Sequence, residues 1–297
     1  MIYDIIILGS GPAGLTAALY GARANKKTLV LGGHELGGQM GQIKNLENYP
    51  GFTGDGMVLA EFMKKQAESF GAEVAMAAAT RIESGKRGFI VHADKEYETK
   101  SVIIATGASP RKLEIQGAKE FAGRGVSYCA TCDGFFYNGK TVAVYGGGNS
   151  ALNDALYLAN LAEKVYIIYR KPAFTRAEAV LVDRVKATKN IERIFNTEIA
   201  SLEGNESGLS GLITNHGTKI PVDGLFVAIG LEANTDFLPE SYKRDDHGKL
   251  VAVGAKIADG LFVAGDVRSG NNMQICVATG WGCEAAMETI VYLNKLN

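Results

Sequence analysis

"IIILGSGPAG", residues 5–14, joins an apolar β-rich run to a glycine pattern, and the same arrangement returns at residues 142–151 as "VAVYGGGNSA". Each copy leads into a helical pattern ("LTAALYGARAN", "LNDALYLANLA") and then into a second β-rich run ("KTLVLG", "KVYIIYR"). Strand, glycine loop, helix and strand in that order form the unit that binds a dinucleotide pyrophosphate. The first glycine makes the tight turn, the second lets phosphate approach the backbone, and the helix N-terminus offers aligned amides with a partial positive charge. These places fall to Gly9, Gly11 and Gly14, with Pro12 and Ala13 between them, and to Gly146, Gly148 and Ala151, with Asn149 and Ser150. The expected fold is α/β, with two Rossmann-like dinucleotide-binding domains of the three-layer ββα type.

The size of the chain agrees, since 297 residues is long for one core and comfortable for two. Lys and Arg total 31 against 32 Asp and Glu, which gives no global charge for nucleic acid. The apolar runs are far shorter than the roughly 20 residues that span a bilayer. The N-terminus enters a strand within three residues, with no basic segment or cleavage site, so no export and a cytoplasmic location are expected.

The two loops lead into different segments. The strand after the second ends at Arg170 and Lys171, with Arg176 beyond, where an NAD site would carry an acid for the ribose. Cations there favour a 2′-phosphate, hence NADPH, although "YRKPAFTR" also reads as an ordinary solvated basic turn. After the first loop, Glu35 lies two residues beyond Gly33 and is the candidate ribose contact. "SVIIATGASP" (residues 101–110) closes a β-run with Thr106 and Gly107, and "GLFVAGDVRSG" (residues 260–270) brings Asp266 to the end of another, a place suited to cofactor contact or simply to a turn. "GLFVAIGLEANTDFL" (residues 224–238) is the counterpart in the second domain. The chain is thus expected to begin and end in one domain, residues 1–111 and 241–297, with residues 112–240 inserted.

"SYCATCDGFF", residues 127–136, holds two of the four cysteines, Cys129 and Cys132, in CxxC spacing. In an unexported chain that spacing reads as redox or metal chemistry. Structural zinc needs four ligands, and no second CxxC or paired histidines exist; His34, His92, His216 and His247 are scattered, so no metal is expected. Near a helix N-terminus a CxxC thiol can titrate well below its usual range, which suits a pair that cycles between disulfide and dithiol. Asp133, directly after the pair, reads as a proton donor or as a helix cap or turn residue. Phe135 and Phe136 suit a docking groove or the core equally. Cys276 and Cys283, seven apart in a helical pattern, read as small buried packing residues rather than a second redox pair.

Taken together, "GSGPAGLTAALY", "LGGQM", "NLENYPGF", "IIATGASPRKL", "GRGVSYCATCDGFFYNGKTVAVYGGGNSALNDALYL", "IGLEANTDFL" and "GLFVAGDV" resemble, in order and spacing, the low-molecular-weight thioredoxin reductases of bacteria and archaea. The CATCD block is the most specific of these. The resemblance implies FAD in the first domain, NADPH in the second, a redox disulfide carried by the second, thioredoxin as substrate and a homodimer. It assigns FAD contacts to Gly38 and Gln39 of "GGQM", Asn48 of "LENYPG", Asp266 and Gln274. It places Cys132 on the flavin side, gives Cys129 the attack on the thioredoxin disulfide, and makes Asp133 the general acid.

Two departures stand out. The family's HRRxxxR run becomes Tyr169, Arg170, Lys171 and, one residue late, Arg176; its Arg-Gln-Ala run before the last helix becomes "NNMQIC", where Met273 replaces the arginine. A ferredoxin-type donor is therefore an alternative to NADPH, as are a flavin dithiol oxidase and a non-enzymatic redox sensor. A peroxide-reductase flavoprotein would need an extra N-terminal region and fits poorly. Because hydride transfer and thiolate attack each require contact at about 3–3.5 Å, a single flavin serving both implies alternation between two domain orientations.

Overall fold

The computed structural model describes residues 2–43, 46–270 and 272–296. They form two compact units, one of residues 1–109 and 232–297 and the other of residues 110–231. The second crossing therefore falls earlier than the expected 240/241. The reason is packing: Leu238 is buried in the first unit's core with Phe237 and Ala233 against it, so the segment after Leu231 belongs to that unit. The crossing strands Ala108–Pro110 and Leu231–Ala233 pair with each other.

In the first unit the strands Leu261–Val263, Glu96–Ile104, Ile2–Leu8, Thr28–Leu31 and Glu73–Ala75 lie side by side in parallel. The period of two along a strand sorts its side chains between layers. Ile5 and Ile7 pack against alanines of the helices Pro12–Arg23 and Ile275–Asn294. Ile6 and Leu8 face the opposite layer, where Ile82 and Val91 of the antiparallel strands Arg81–Gly85 and Gly88–His92 lie.

The second unit repeats the plan. Val126–Ser127, Gly224–Val227, Thr141–Tyr145, Lys164–Ile168 and Ile191–Ile194 form a parallel sheet. Val142 and Val144 pack under the helices Asn149–Leu158 and Ala179–Ala187, whereas Ala143 faces the antiparallel strands Ile199–Asn205, Gly208–Thr214 and Lys219–Ile220. These are the two three-layer dinucleotide-binding folds that the sequence predicts. Among the described residues no helix is long and apolar enough to cross a membrane.

Candidate active site

Both glycine loops sit at the carboxyl ends of their central strands, where open α/β sheets take ligands. In the first, Gly9 has φ +108°, and a Cβ there would strike the Ala105 carbonyl; one on Gly14 would strike the Gly9 carbonyl. Gly11 heads the helix Pro12–Arg23 with no side chain on the first-turn amides, and a Cβ added to it would meet only the Gly37 carbonyl, at 3.9 Å. Those free amides beside an open backbone are what a pyrophosphate requires. Ser10, which sequence reasoning passed over, is buried and ties the loop to its surroundings: its hydroxyl lies 2.9 Å from the Gly32 carbonyl and 3.1 Å from that of Glu35.

The other expected contacts of the first loop spread around its rim. Glu35 is exposed and accepts from Gln42 at 3.3 Å, and Gly38 starts a short 3₁₀ turn, Gly38–Gln42. Gln39 donates to the Ala108 carbonyl at 2.9 Å. Asn48 donates to Gln274 at 3.2 Å, so two candidates 226 positions apart meet. Thr106 donates to the Asn234 carbonyl at 2.7 Å, while the Asn234 side chain donates to the Thr106 carbonyl at 2.9 Å and its backbone amide donates to the Gly107 carbonyl at 3.1 Å. Asn234 was legible only as part of "LEANTDFL"; its partner was not. Asp266 follows Gly265 at the end of Leu261–Val263, and burial pushes its carboxyl up, opposed in part by Lys249.

In the second loop Gly146 has φ +152°, and a Cβ there would strike the Ala228 carbonyl. Gly148 heads the helix Asn149–Leu158 with open space around it and no side chain on the first-turn amides. Ser150 is exposed in the first turn, and Ala151 is buried beneath it. Tyr169, in the family's histidine place, is buried; its ring lies against Gly147 and stacks on Phe174 with centroids 5.9 Å apart. Arg170 and Arg176 are exposed and Lys171 is half-buried, and none of the three makes a salt bridge among the described residues. The Asn149 side chain turns to Glu178, donating to its carboxylate at 2.7 Å and accepting from its amide at 2.8 Å.

In this same unit Cys129 and Cys132 form a disulfide just beyond the strand Val126–Ser127. Cys129 caps the short helix Ala130–Asp133, and the Cys132 amide donates to its sulfur at 3.2 Å. Cys132 is exposed and Cys129 half-buried. Asp133 ends this helix and stands at the head of the following 3₁₀ turn, Gly134–Tyr137, without a side-chain bond to its amides; its carboxylate instead accepts from the buried Ser127 hydroxyl at 2.6 Å. The chain then turns through Gly134–Tyr137 and sends Tyr137 inward onto Phe226, with centroids 5.3 Å apart. Phe135 and Phe136 are left outside, 73% and 70% exposed, so they are surface residues and not core.

Cys276 and Cys283 correct an expectation: Cys276 is exposed and Cys283 only half-buried. The inward stripe of the helix Ile275–Asn294 runs through Ala278, Gly282, Ala285, Ala286, Thr289 and Leu293, and both cysteines fall beside it. Among the described residues no group of three or more His, Cys, Asp and Glu could hold a metal ion.

The model of the family described as "Pyridine nucleotide-disulphide oxidoreductase" matches residues 3–282. The chain belongs to that family. It is 40% identical to the thioredoxin reductase of Rickettsia felis, with 98% of each chain covered. Among solved structures, it superposes on the thioredoxin reductase of Lactococcus lactis in its FR conformation with a TM-score of 0.95 and 36% identity, covering 99% of each chain. It matches that of T. acidophilum with a TM-score of 0.92 and 33% identity, covering 100% of this chain and 99% of that one.

Proposed function

We infer that this chain is an FAD-dependent thioredoxin-disulfide reductase that passes two electrons from NADPH through the Cys129–Cys132 disulfide to thioredoxin. The observation that carries the reading is the placement of that disulfide on the same parallel sheet as the second open glycine loop. The full-length likeness to thioredoxin reductases supports it.

FAD would be held in the first unit, its pyrophosphate on the amides after Gly11, with Pro12, Ala13 and Gly14 forming the helix start. Glu35, Gly38, Gln39, Asn48, Thr106, Gly107, Asp266 and Gln274 would form the remaining contacts. The second unit would take NADPH on Gly146, Gly148, Asn149, Ser150 and Ala151, with the exposed Arg170 and Arg176 and the half-buried Lys171 as the cations that would pair with the 2′-phosphate. When bound, the flavin supplies two electrons at the disulfide.

The chain's own chemistry is the breaking and remaking of one sulfur–sulfur bond. Reduction of the disulfide consumes two electrons and two protons and leaves two thiols. Cys129 then attacks the thioredoxin disulfide as a thiolate, stabilised by the Cys132 amide that points at its sulfur. A mixed disulfide forms and the departing thioredoxin thiolate takes up a proton. Cys132 attacks the Cys129 sulfur, closes the enzyme disulfide and releases the second thiol. Asp133 holds the proton these transfers need. The exposed Phe135 and Phe136 beside the pair offer an apolar face for the protein substrate. By the resemblance to low-molecular-weight thioredoxin reductases, we further infer a cytoplasmic homodimer.

Anaerobic titration of the purified flavoprotein tests the reading. Bleaching of the flavin by NADPH, faster than by NADH, followed by reduction of thioredoxin supports it. Bleaching by reduced ferredoxin alone would replace the donor, and oxygen consumption with a small dithiol but no thioredoxin reduction would replace the activity.

A further inference from the structure

Ser127 is one of few buried polar side chains in the second unit, 5% exposed, and its hydroxyl oxygen lies where three groups converge. It is 2.6 Å from Asp133 Oδ2, 3.0 Å from the Cys129 amide, which donates to it, and 3.3 Å from the Cys129 carbonyl. A hydroxyl has one proton to give and two lone pairs. With Asp133 ionised, that proton goes to the carboxylate. With Asp133 protonated, the carboxyl donates to the serine oxygen, and the serine proton turns to the Cys129 carbonyl. Both protonation states of the acid are thus satisfied without moving a heavy atom, and the Cys129 backbone is held in each.

Asp133 also opens onto a cavity of about 450 Å³ within the second unit, lined by Ser127, Asp133, Tyr137, Lys140 and Asp223 among others. The cavity's size and polar lining suit several waters, which would return a spent proton. The charged and titratable groups around it are Arg124, Lys140, Asp223 and Tyr137. Arg124 is turned to the carbonyls of Glu206 and Glu120, Asp223 accepts from the Thr141 amide, and Lys140 lies over the Tyr137 ring. Burial, then Asp133 and Asp223, raise the Tyr137 hydroxyl, which keeps it a neutral donor at physiological pH. Asp133 is left as the group on this cavity adjacent in sequence to the redox pair.

We propose that Ser127 is the positioning residue of the proton donor, its hydroxyl switching between the Asp133 carboxylate and the Cys129 carbonyl as Asp133 loses and regains a proton through the cavity. This rests on the reading of Asp133 as general acid. In thioredoxin reduction, Asp133 gives its proton to the departing thiolate, and the proton released as the Cys132 thiol closes the enzyme disulfide returns to Asp133 by way of the cavity waters, so no proton is lost overall and no electrons pass through the serine.

The test is the pH profile of kcat for thioredoxin reduction in Ser127→Ala, Ser127→Thr and, separately, Asp133→Asn. In Ser127→Ala the stronger of the two lost hydrogen bonds is the one to the ionised carboxylate, so the alkaline limb moves to higher pH by about one unit; separately, the unheld carboxyl loses its orientation, and kcat at pH 7 falls about tenfold. Ser127→Thr keeps the hydroxyl and returns the limb to its original place. A tenfold loss with an unmoved limb, or failure of threonine to restore it, overturns the proposal. If Ala at this position prevents folding, ¹³C titration of the parent decides: Ser127 Cβ and Asp133 Cγ shift with one midpoint, and a serine signal that does not move overturns it. Asp133→Asn with undiminished rate and an unchanged profile would instead remove the general-acid reading itself.

Discussion

Asn149 and Glu178 clasp each other through two hydrogen bonds, the amide nitrogen giving 2.7 Å to the carboxylate and the amide oxygen taking 2.8 Å from the Glu178 backbone. Asn149 opens the second loop's helix and Glu178 caps the helix Ala179–Ala187, so this pair ties the C-terminal end of the segment that carries Arg170, Lys171 and Arg176 to the head of the loop's helix. Asn149 therefore serves the nucleotide site mainly by holding the basic segment. Asn149→Ala is expected to raise KM for NADPH about tenfold and leave KM for NADH and kcat nearly unchanged, as measured by steady-state kinetics with each donor.

The basic segment sets the choice of donor. A cation paired with a phosphate contributes roughly 1.5–3 kcal/mol, or about 10- to 100-fold in affinity. Arg176→Ala, and the double change of Arg170 and Lys171 to alanine, are each expected to lower kcat/KM for NADPH within that range and leave NADH within about twofold. A parallel fall with both nucleotides would show that these side chains do not read the 2′-phosphate.

Gly14→Ala places a methyl against the Gly9 carbonyl, which is backbone and cannot yield. Overpacking of this kind costs about 1–3 kcal/mol. It also spoils the turn that aims the helix amides. The expected result is a protein purified with little flavin and a lowered Tm, read from the ratio of flavin to protein absorbance and from calorimetry.

Cys129→Ser is expected to abolish thioredoxin reduction and leave anaerobic flavin reduction by NADPH intact, because Cys129 meets the protein substrate and not the donor. Stopped-flow bleaching and a coupled thioredoxin assay on the same preparation separate the two. Thioredoxin reduction at the original rate would reverse the assignment of the two sulfurs.

Asp154, in the helix Asn149–Leu158, has its carboxyl pushed up to about 7 by burial alone. The folded protein keeps this proton at pH values where the unfolded chain has released it. The stability contributed by this group is full below the ordinary carboxylate range, declines as pH rises towards 7, and is lost above it. Asp154→Asn is therefore expected to melt higher than the parent at pH 8, with the advantage shrinking towards pH 4, in thermal unfolding followed across pH.

Sequence alone determined the two folds, the two loops and the redox pair, because each is written locally. Gly9 and Gly146 mark backbone angles that other residues rarely adopt, apolar alternation marks strands sandwiched between two layers, and CxxC places two sulfurs one helical turn apart. Tertiary structure alone decided which way the remaining side chains face and whom they meet. Thr106 and Asn234 are 128 positions apart, and nothing in either segment names the other. The crossing at Leu231 results from where Leu238 finds a core. Cys276 and Cys283 share a helical face, but burial depends on which stripe of the helix the sheet accepts, and alanine and glycine took it because small side chains allow close approach to the helix Pro12–Arg23. Ser127 stood within the quoted redox motif, yet its role appeared only when folding brought its hydroxyl to Asp133, because a hydrogen bond is fixed by geometry that residue order does not contain.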